Sequence, residues 1–179
     1  MIEVKNTELE GVKIIKPKLF NDDRGYFFES YNQKKIINAI GNIVFVQDNE
    51  SKSSFGVLRG MHYQKKPYEQ SKLVRVVKGK IQDIVIDLRK DSEDYLKHVS
   101  VILDDKQKEQ LFIPRGFAHG FLVLSKLAIV NYKVDNFYSQ ENEISIPYND
   151  PKLKLNWKLN DSEINISEKD KVITKNFIL

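Results

Sequence analysis

The chain has 179 residues, 41% apolar and 30% charged, which predicts one soluble globular domain, 1–179, with enough length to bury about 70% of its unfolded surface. It has no cysteine, which excludes disulfides and thiolate sites, and no apolar run near the ~20 residues of a membrane span; with no apolar leader in Met1–Lys5, a cytoplasmic location and no membrane partner are expected. The net charge is +4, but the lysines are scattered and mostly matched by nearby acids, so no nucleic-acid stripe forms; the mild surplus suits a small anionic ligand.

Strand signals dominate. Lys13 to Phe20 and Tyr26 to Tyr31 are β-rich and bracket the turn cluster Asn21-Asp22-Asp23-Arg24-Gly25. Asn32 to Ile40 reads as a helix, with Asn32 as cap, Ile36, Ile37 and Ile40 as its apolar face, and Gly41 as its stop. Ile43 to Gln47 reads as a strand. Leu73 to Val77, Lys78-Gly79-Lys80 and Ile81 to Leu88 predict a hairpin, with Ile81, Asp83, Val85 and Asp87 on one face of its second arm and Gln82, Ile84, Ile86 and Leu88 on the other. His98 to Leu103, Gln110 to Pro114, Gly120 to Leu124 and Ala128 to Val134 are further strands. After Tyr148-Asn149-Asp150-Pro151 the chain turns polar and irregular. Many short strands at regular spacing predict an all-β fold, a double-sheet jelly-roll barrel with short peripheral helices and its site in the mouth.

Two segments carry the chemistry. Val57-Leu58-Arg59-Gly60-Met61-His62-Tyr63-Gln64 and Ile113-Pro114-Arg115-Gly116-Phe117-Ala118-His119-Gly120-Phe121 each set one histidine among glycines and β-formers. Histidine titrates nearest neutrality and is the default proton-transfer group. Pro114, Gly116 and His119 resemble the second sequence mark of the cupins, the metal-binding jelly rolls. Their first mark is present in outline only: His62 stands, but Gln64 replaces the second histidine, and Lys72 lies near the place of the carboxylate. A metal site of that kind needs about three histidines and an acid, and an ammonium repels a divalent cation, so no metal is expected. A lysine can instead stabilise an enolate oxygen. His62 as base, Lys72 as cation and Tyr132 as acid would then move a proton on a carbon beside a carbonyl. Spacing alone leaves two readings open: a proton-transfer enzyme, and a metal-free sugar-binding pocket.

Longer blocks carry a resemblance. Asp23 to Ser30, Phe45 to Ser51, Gly56 to His62, Gln70 to Arg75, Ile113 to Phe121, Asn131-Tyr132-Lys133, Asn149-Asp150-Pro151 and Ser167 to Asp170 together resemble the dTDP-4-dehydrorhamnose 3,5-epimerases. Trp157-Lys158 and the glycine-free stretch Asp91 to Leu96 depart from the pattern. The resemblance implies an isomerase, without cofactor, that exchanges protons at C3 and C5 of a dTDP-4-keto-6-deoxy sugar on the route to dTDP-L-rhamnose. A single-centre epimerase, or a cupin that only binds such a sugar nucleotide, is the alternative. The resemblance implies His62 as base paired with Asp170, Tyr132 as acid and Lys72 beside the C4 oxygen. It implies substrate contacts at Arg59 and Lys169 (diphosphate), Gln47, Asp48 and Asn49, His119 oriented by Asp83, Tyr138 and Glu143. It also implies a homodimer in which Arg24 and Glu29 reach the partner's site on an exchanged N-terminal strand.

Overall fold

The computed structural model of the chain describes residues 2–171. Strands β1 (Glu3–Asn6), β2 (Lys13–Lys16), β3 (Phe20–Asp22) and β4 (Gly25–Phe27) precede helix α1 (Gln33–Ile40). Then come β5 (Gln47–Ser54), β6 (Leu58–Gln64), β7 (Lys72–Lys78), β8 (Lys80–Asp87), β9 (His98–Asp104), β10 (Gln110–Ile113), β11 (Phe117–Val123) and β12 (Leu127–Val134). A short β13 (Glu143–Ser145) and the four-residue helix α2 (Glu168–Lys171) follow.

Eleven of these strands form two antiparallel sheets packed face to face. One has the order β1-β2-β10-β7-β12-β5, the other β13-β6-β11-β8-β9. Both contribute to the core between them: Val74, Val76, Leu111, Ile113 and Val130 from the first, Ile81, Val85, Leu103, Phe117, Phe121 and Val123 from the second. This is the expected jelly roll. The alternation read in β8 also holds. Ile81 and Val85 enter the central core, whereas Ile84 and Ile86 enter a second cluster with Met61, Ala118, Ile144, Ile146 and Leu153. Leu155 and Trp157 pack on that cluster, so the irregular C-terminal stretch covers the outer face of the five-stranded sheet. Helix α1 does the same for part of the other sheet, setting Ile36 against Ile15, Leu73 and Phe112. Its caps are those expected: Asn32 Oδ1 accepts from the Lys35 amide, and Gly41, at φ +96°, donates to the Ile37 carbonyl.

Three expectations are corrected. Strands β7 and β8 do not form a hairpin. β7 pairs with β10 and β12, β8 with β11 and β9, so Lys78-Gly79-Lys80 is a corner between sheets. The Gly79 amide donates to Asp105 and the Lys80 amide to Ser125, from neighbouring loops rather than across a ladder. A positive-φ glycine serves a corner as well as a tight turn, and pattern alone cannot separate them. The strand expected over Ile43 to Gln47 instead runs Gln47–Ser54 at the sheet edge, where its polar alternation hides it. Ile43 and Phe45 do alternate, but they pack beneath α1 before pairing begins. Finally, Lys13 to Phe20 is broken after Lys16, ahead of Pro17, and β4 ends at Phe27; Asn21 to Gly25 lies within the β3–β4 ribbon, which joins neither main sheet.

The central core tolerates no loss of volume. Leu111→Ala should lower the free energy of unfolding by about 2–5 kcal/mol, read as a lower urea midpoint at unchanged slope; a change under about 1 kcal/mol would mean that the sheets close over the gap.

Candidate active site

A cavity of about 440 Å³ opens between the two sheets at one end of the sandwich. The six-stranded sheet lines it with Gln47, Asn49 and Ser51 of β5, Lys72 of β7 and Tyr132 of β12. The five-stranded sheet lines it with Arg59, His62 and Gln64 of β6, His119 and Phe121 of β11 and Glu143 of β13. Lys169 and Asp170 of α2 close one side.

The two histidines are neighbours by register, since His119 pairs with His62 across β11 and β6. Two residues further the register slips, and Phe121 sits opposite Arg59. Gly60 makes this possible. At φ +125° it occupies the left-handed half of conformational space, and a Cβ there would stand 2.5 Å from the Gly120 Cα. The glycines of the two motifs therefore let the strands meet closely enough to set the imidazoles side by side.

Each histidine has a carboxylate. His62 Nε2 lies 2.6 Å from Asp170 Oδ1, and His119 Nε2 lies 2.8 Å from Asp83 Oδ2. Burial alone would raise the Asp170 carboxyl, but the hydrogen bond and charge of His62, helped by the Ser167 hydroxyl and the Gly60 amide, hold it below its usual value. Asp170 is therefore a carboxylate that fixes the His62 ring. His119 is pushed down, chiefly by burial and further by the charges of Lys72 and His62, against the pull of Asp83. It is neutral near pH 7.

Lys72 opens β7 at the cavity floor. Desolvation pushes its ammonium down to about 8, while the charges of Asp83 and Glu143 draw it back up. Tyr132 stands beside it on β12, the neighbouring strand of the same sheet. Burial raises its phenol, with Arg59 opposing, so the hydroxyl keeps its proton. Arg59 is exposed at the rim, where its Nε donates to Ser53 Oγ at 2.9 Å. The site can thus offer a carboxylate-oriented imidazole on one wall and, side by side on the facing wall, a protonated phenol and a partly desolvated cation.

Of the residues singled out in the sequence, Gln47, Asn49, Arg59, His62, Lys72, His119, Tyr132, Tyr138, Glu143, Lys169 and Asp170 converge here. Asp48, Arg24 and Glu29 do not. The alternation of β5 turns Asp48 outward to Lys133, at 2.6 Å. Arg24, on the β3–β4 turn, pairs with Asp22, and Glu29 with Asn32 and Lys35. Among the lining residues, Gln70, Ser51 and Ser167 carry no individual role in the sequence reading, and Gln64 only that of a missing metal ligand. Gln64 is a strut: its amide nitrogen donates to the Tyr68 carbonyl and its oxygen accepts from the Ser139 amide. Ser167 accepts from the Asp170 amide, and Ser167-Glu168-Lys169-Asp170 has the spacing of a helix-capping motif that would have announced it.

With this geometry in view, comparison with known proteins is specific. A family model described as dTDP-4-dehydrorhamnose 3,5-epimerase matches residues 6–176. A dTDP-4-dehydrorhamnose 3,5-epimerase of Shigella flexneri is 49% identical over 170 residues, 92% of this chain and 94% of that one. The crystal structure of the enzyme of that name from Elizabethkingia anophelis NUHP1 superposes with a TM-score of 0.91 at 46% identity, over 96% of this chain and 94% of that one. A dTDP-6-deoxy-D-glucose-3,5-epimerase from Legionella pneumophila Philadelphia 1, solved in complex with dTDP-4-keto-L-rhamnose, superposes with a TM-score of 0.92 at 43% identity, over 96% of this chain and 90% of that one. A match spanning nearly the whole chain, on a fold built around paired histidines, carries one conclusion: the chain belongs to the dTDP-4-dehydrorhamnose 3,5-epimerase family.

Proposed function

We propose that the cavity inverts C3 and C5 of dTDP-4-keto-6-deoxy-D-glucose, giving dTDP-4-keto-L-rhamnose. The single observation that carries this reading is the placement of His62 and Tyr132 on opposite sheets across one cavity. Both carbons are α to the C4 ketone, so loss of either proton leaves an enolate. Inversion requires a base on one face of the sugar ring and an acid on the other, and two facing walls meet that need. His62 takes the proton, held in orientation by Asp170. Tyr132, its phenol protonated, returns one from the other side. The Lys72 ammonium neutralises charge developing on the C4 oxygen. Positioned acid–base groups of this kind contribute about 10²–10⁴ in rate, and oxyanion stabilisation adds a further, often larger, factor. Arg59 at the rim meets the diphosphate, because a guanidinium forks onto phosphate oxygens.

The assembly we propose is a homodimer with exchanged N-terminal ribbons. Phe20, Tyr26 and Phe27 stand 52%, 56% and 66% exposed on β3 and β4, a ribbon that joins neither main sheet. Arg24 sits at its tip, outside this chain's own cavity. We place the reaction in the cytoplasm; no helix among the described residues is long and apolar enough to cross a membrane.

Three outcomes test the proposal. In D₂O the wild type should label both C3 and C5, seen by NMR, while His62→Ala should label neither and still bind the nucleotide sugar. Label at one carbon only would make the enzyme a single-centre epimerase, and near-normal turnover by the variant would refute His62 as base. Above pH about 8 the wild-type kcat/KM should fall as Lys72 loses its proton; Lys72→Arg, slower at neutral pH, should lose that limb because a guanidinium stays charged. Finally, a mixture of the inactive variants His62→Ala and Arg24→Ala, unfolded and refolded together, should regain about a quarter of wild-type activity, since half the dimers are mixed and each mixed dimer has one intact site. No recovery would mean that Arg24 serves its own subunit, and an active Arg24→Ala variant would mean that it serves neither.

A further inference from the structure

We propose that Glu143 and Lys169 form a latch that seats Asp170 against His62, making Glu143 a positioning residue for proton transfer. The inference rests on His62 being the base and Asp170 its partner.

Helix α2 has four residues, far below the length at which a helix holds itself in water. Its place must be imposed by tertiary contacts. The approach to it is well seated. Asn165 bridges to Val57 in parallel, donates to the Gly56 carbonyl at 2.8 Å, and accepts from the Leu58 amide at 2.9 Å. Beyond Asn165, two neighbouring residues tie α2 to the sandwich: Asp170, which meets His62 at 2.6 Å and takes the Gly60 amide, and Lys169, which meets Glu143 at 2.5 Å. Glu168 and Lys171 pair with each other at 2.6 Å and stay exposed, so they do not tie the helix to the sandwich.

The two pins are adjacent in sequence and diverge in space. Successive residues of a helix point about 100° apart, so Lys169 and Asp170 reach different strands, β13 and β6. Two such points set the rotation of a helix as well as its distance. The strand ends are themselves in register: β13 pairs with β6 so that Glu143 lies opposite Gln64 and Ser145 opposite His62. Glu143 and the base are thus held by one ladder. The Glu143 carboxylate is built for the task. It also accepts from the Tyr138 hydroxyl at 2.8 Å, and although burial would raise it, Lys169 and Tyr138 hold it charged. Lys169 in turn lies over the Tyr138 ring, 5.8 Å from its centroid.

The resemblance would make Glu143 and Lys169 substrate contacts, and the two roles separate kinetically. A ligand contact sets KM; a latch sets kcat, because it acts on the orientation of the base after binding. We would measure kcat and KM for Glu143→Gln, Lys169→Met, Asp170→Asn and the double variant Glu143→Gln/Asp170→Asn. Glu143→Gln and Lys169→Met should each lower kcat about 10- to 100-fold, the scale of a small misplacement of a catalytic group, with KM changed less than about twofold. In the Asp170→Asn background, Glu143→Gln should cost nothing more, since there is no aspartate left to seat. A raised KM at preserved kcat, or a loss that persists undiminished in that background, would overturn the latch. An Asp170→Asn variant with unchanged kcat would instead sink the pairing on which the inference rests, and the two failures are distinguishable.

Discussion

A proton can be exchanged with inversion only if the group that removes it and the group that restores it stand on opposite sides of the carbon. In the mechanism we propose, that separation is a property of the sandwich, not of any loop. His62 belongs to the five-stranded sheet and Tyr132 to the six-stranded one, and the same apolar contacts that hold the sheets together fix the gap between them. Packing at that density resists small deformations, so core and chemistry are coupled. Tyr132 makes the point directly, packing against the central cluster while lining the cavity.

The second ordering principle is the way charge is carried into a desolvated place. His119 rests on a fully buried Asp83, His62 on Asp170, and Glu143 on Lys169. Among the described residues Lys72 stands apart, with attraction from Asp83 and Glu143 but no ion pair within 4 Å. In the proposed mechanism, a cation left unpaired in this way answers the charge that develops on the sugar oxygen. A buried cation already paired would be a weaker electrostatic partner for that oxygen.

Much of this was legible in the sequence, for definable reasons. The alternation of β8 and the capping of α1 are local signals, and both appear as read. The glycines beside His62 and His119 are plain in the sequence, but the close approach of strands that they allow is not. What stayed hidden depends on distance along the chain. Lys78-Gly79-Lys80 looks like a hairpin turn because the neighbours that make it a corner, Asp105 and Ser125, lie 26 and 45 residues away. Strand β5 is polar enough to pass for a loop. Asp170 sits 108 residues from His62 in a lysine-flanked tail, and composition there reads as solvent; only the family resemblance singled it out. Gln64 stood out as the residue in place of a metal ligand, yet its work as a strut for Tyr68 and Ser139 is invisible without coordinates.

The covering of the outer β8 face has a consequence for biogenesis. Met61, Ile84, Ile86 and Ala118 are sealed by Ile144, Ile146 and Leu153, with Trp157 against them. On the ribosome those sealing residues emerge after β12. A nascent chain that has paired its strands through β12 but lacks this final wrap presents a flat, greasy wall to solvent, so the interval before residue 157 leaves the tunnel is its window of greatest stickiness.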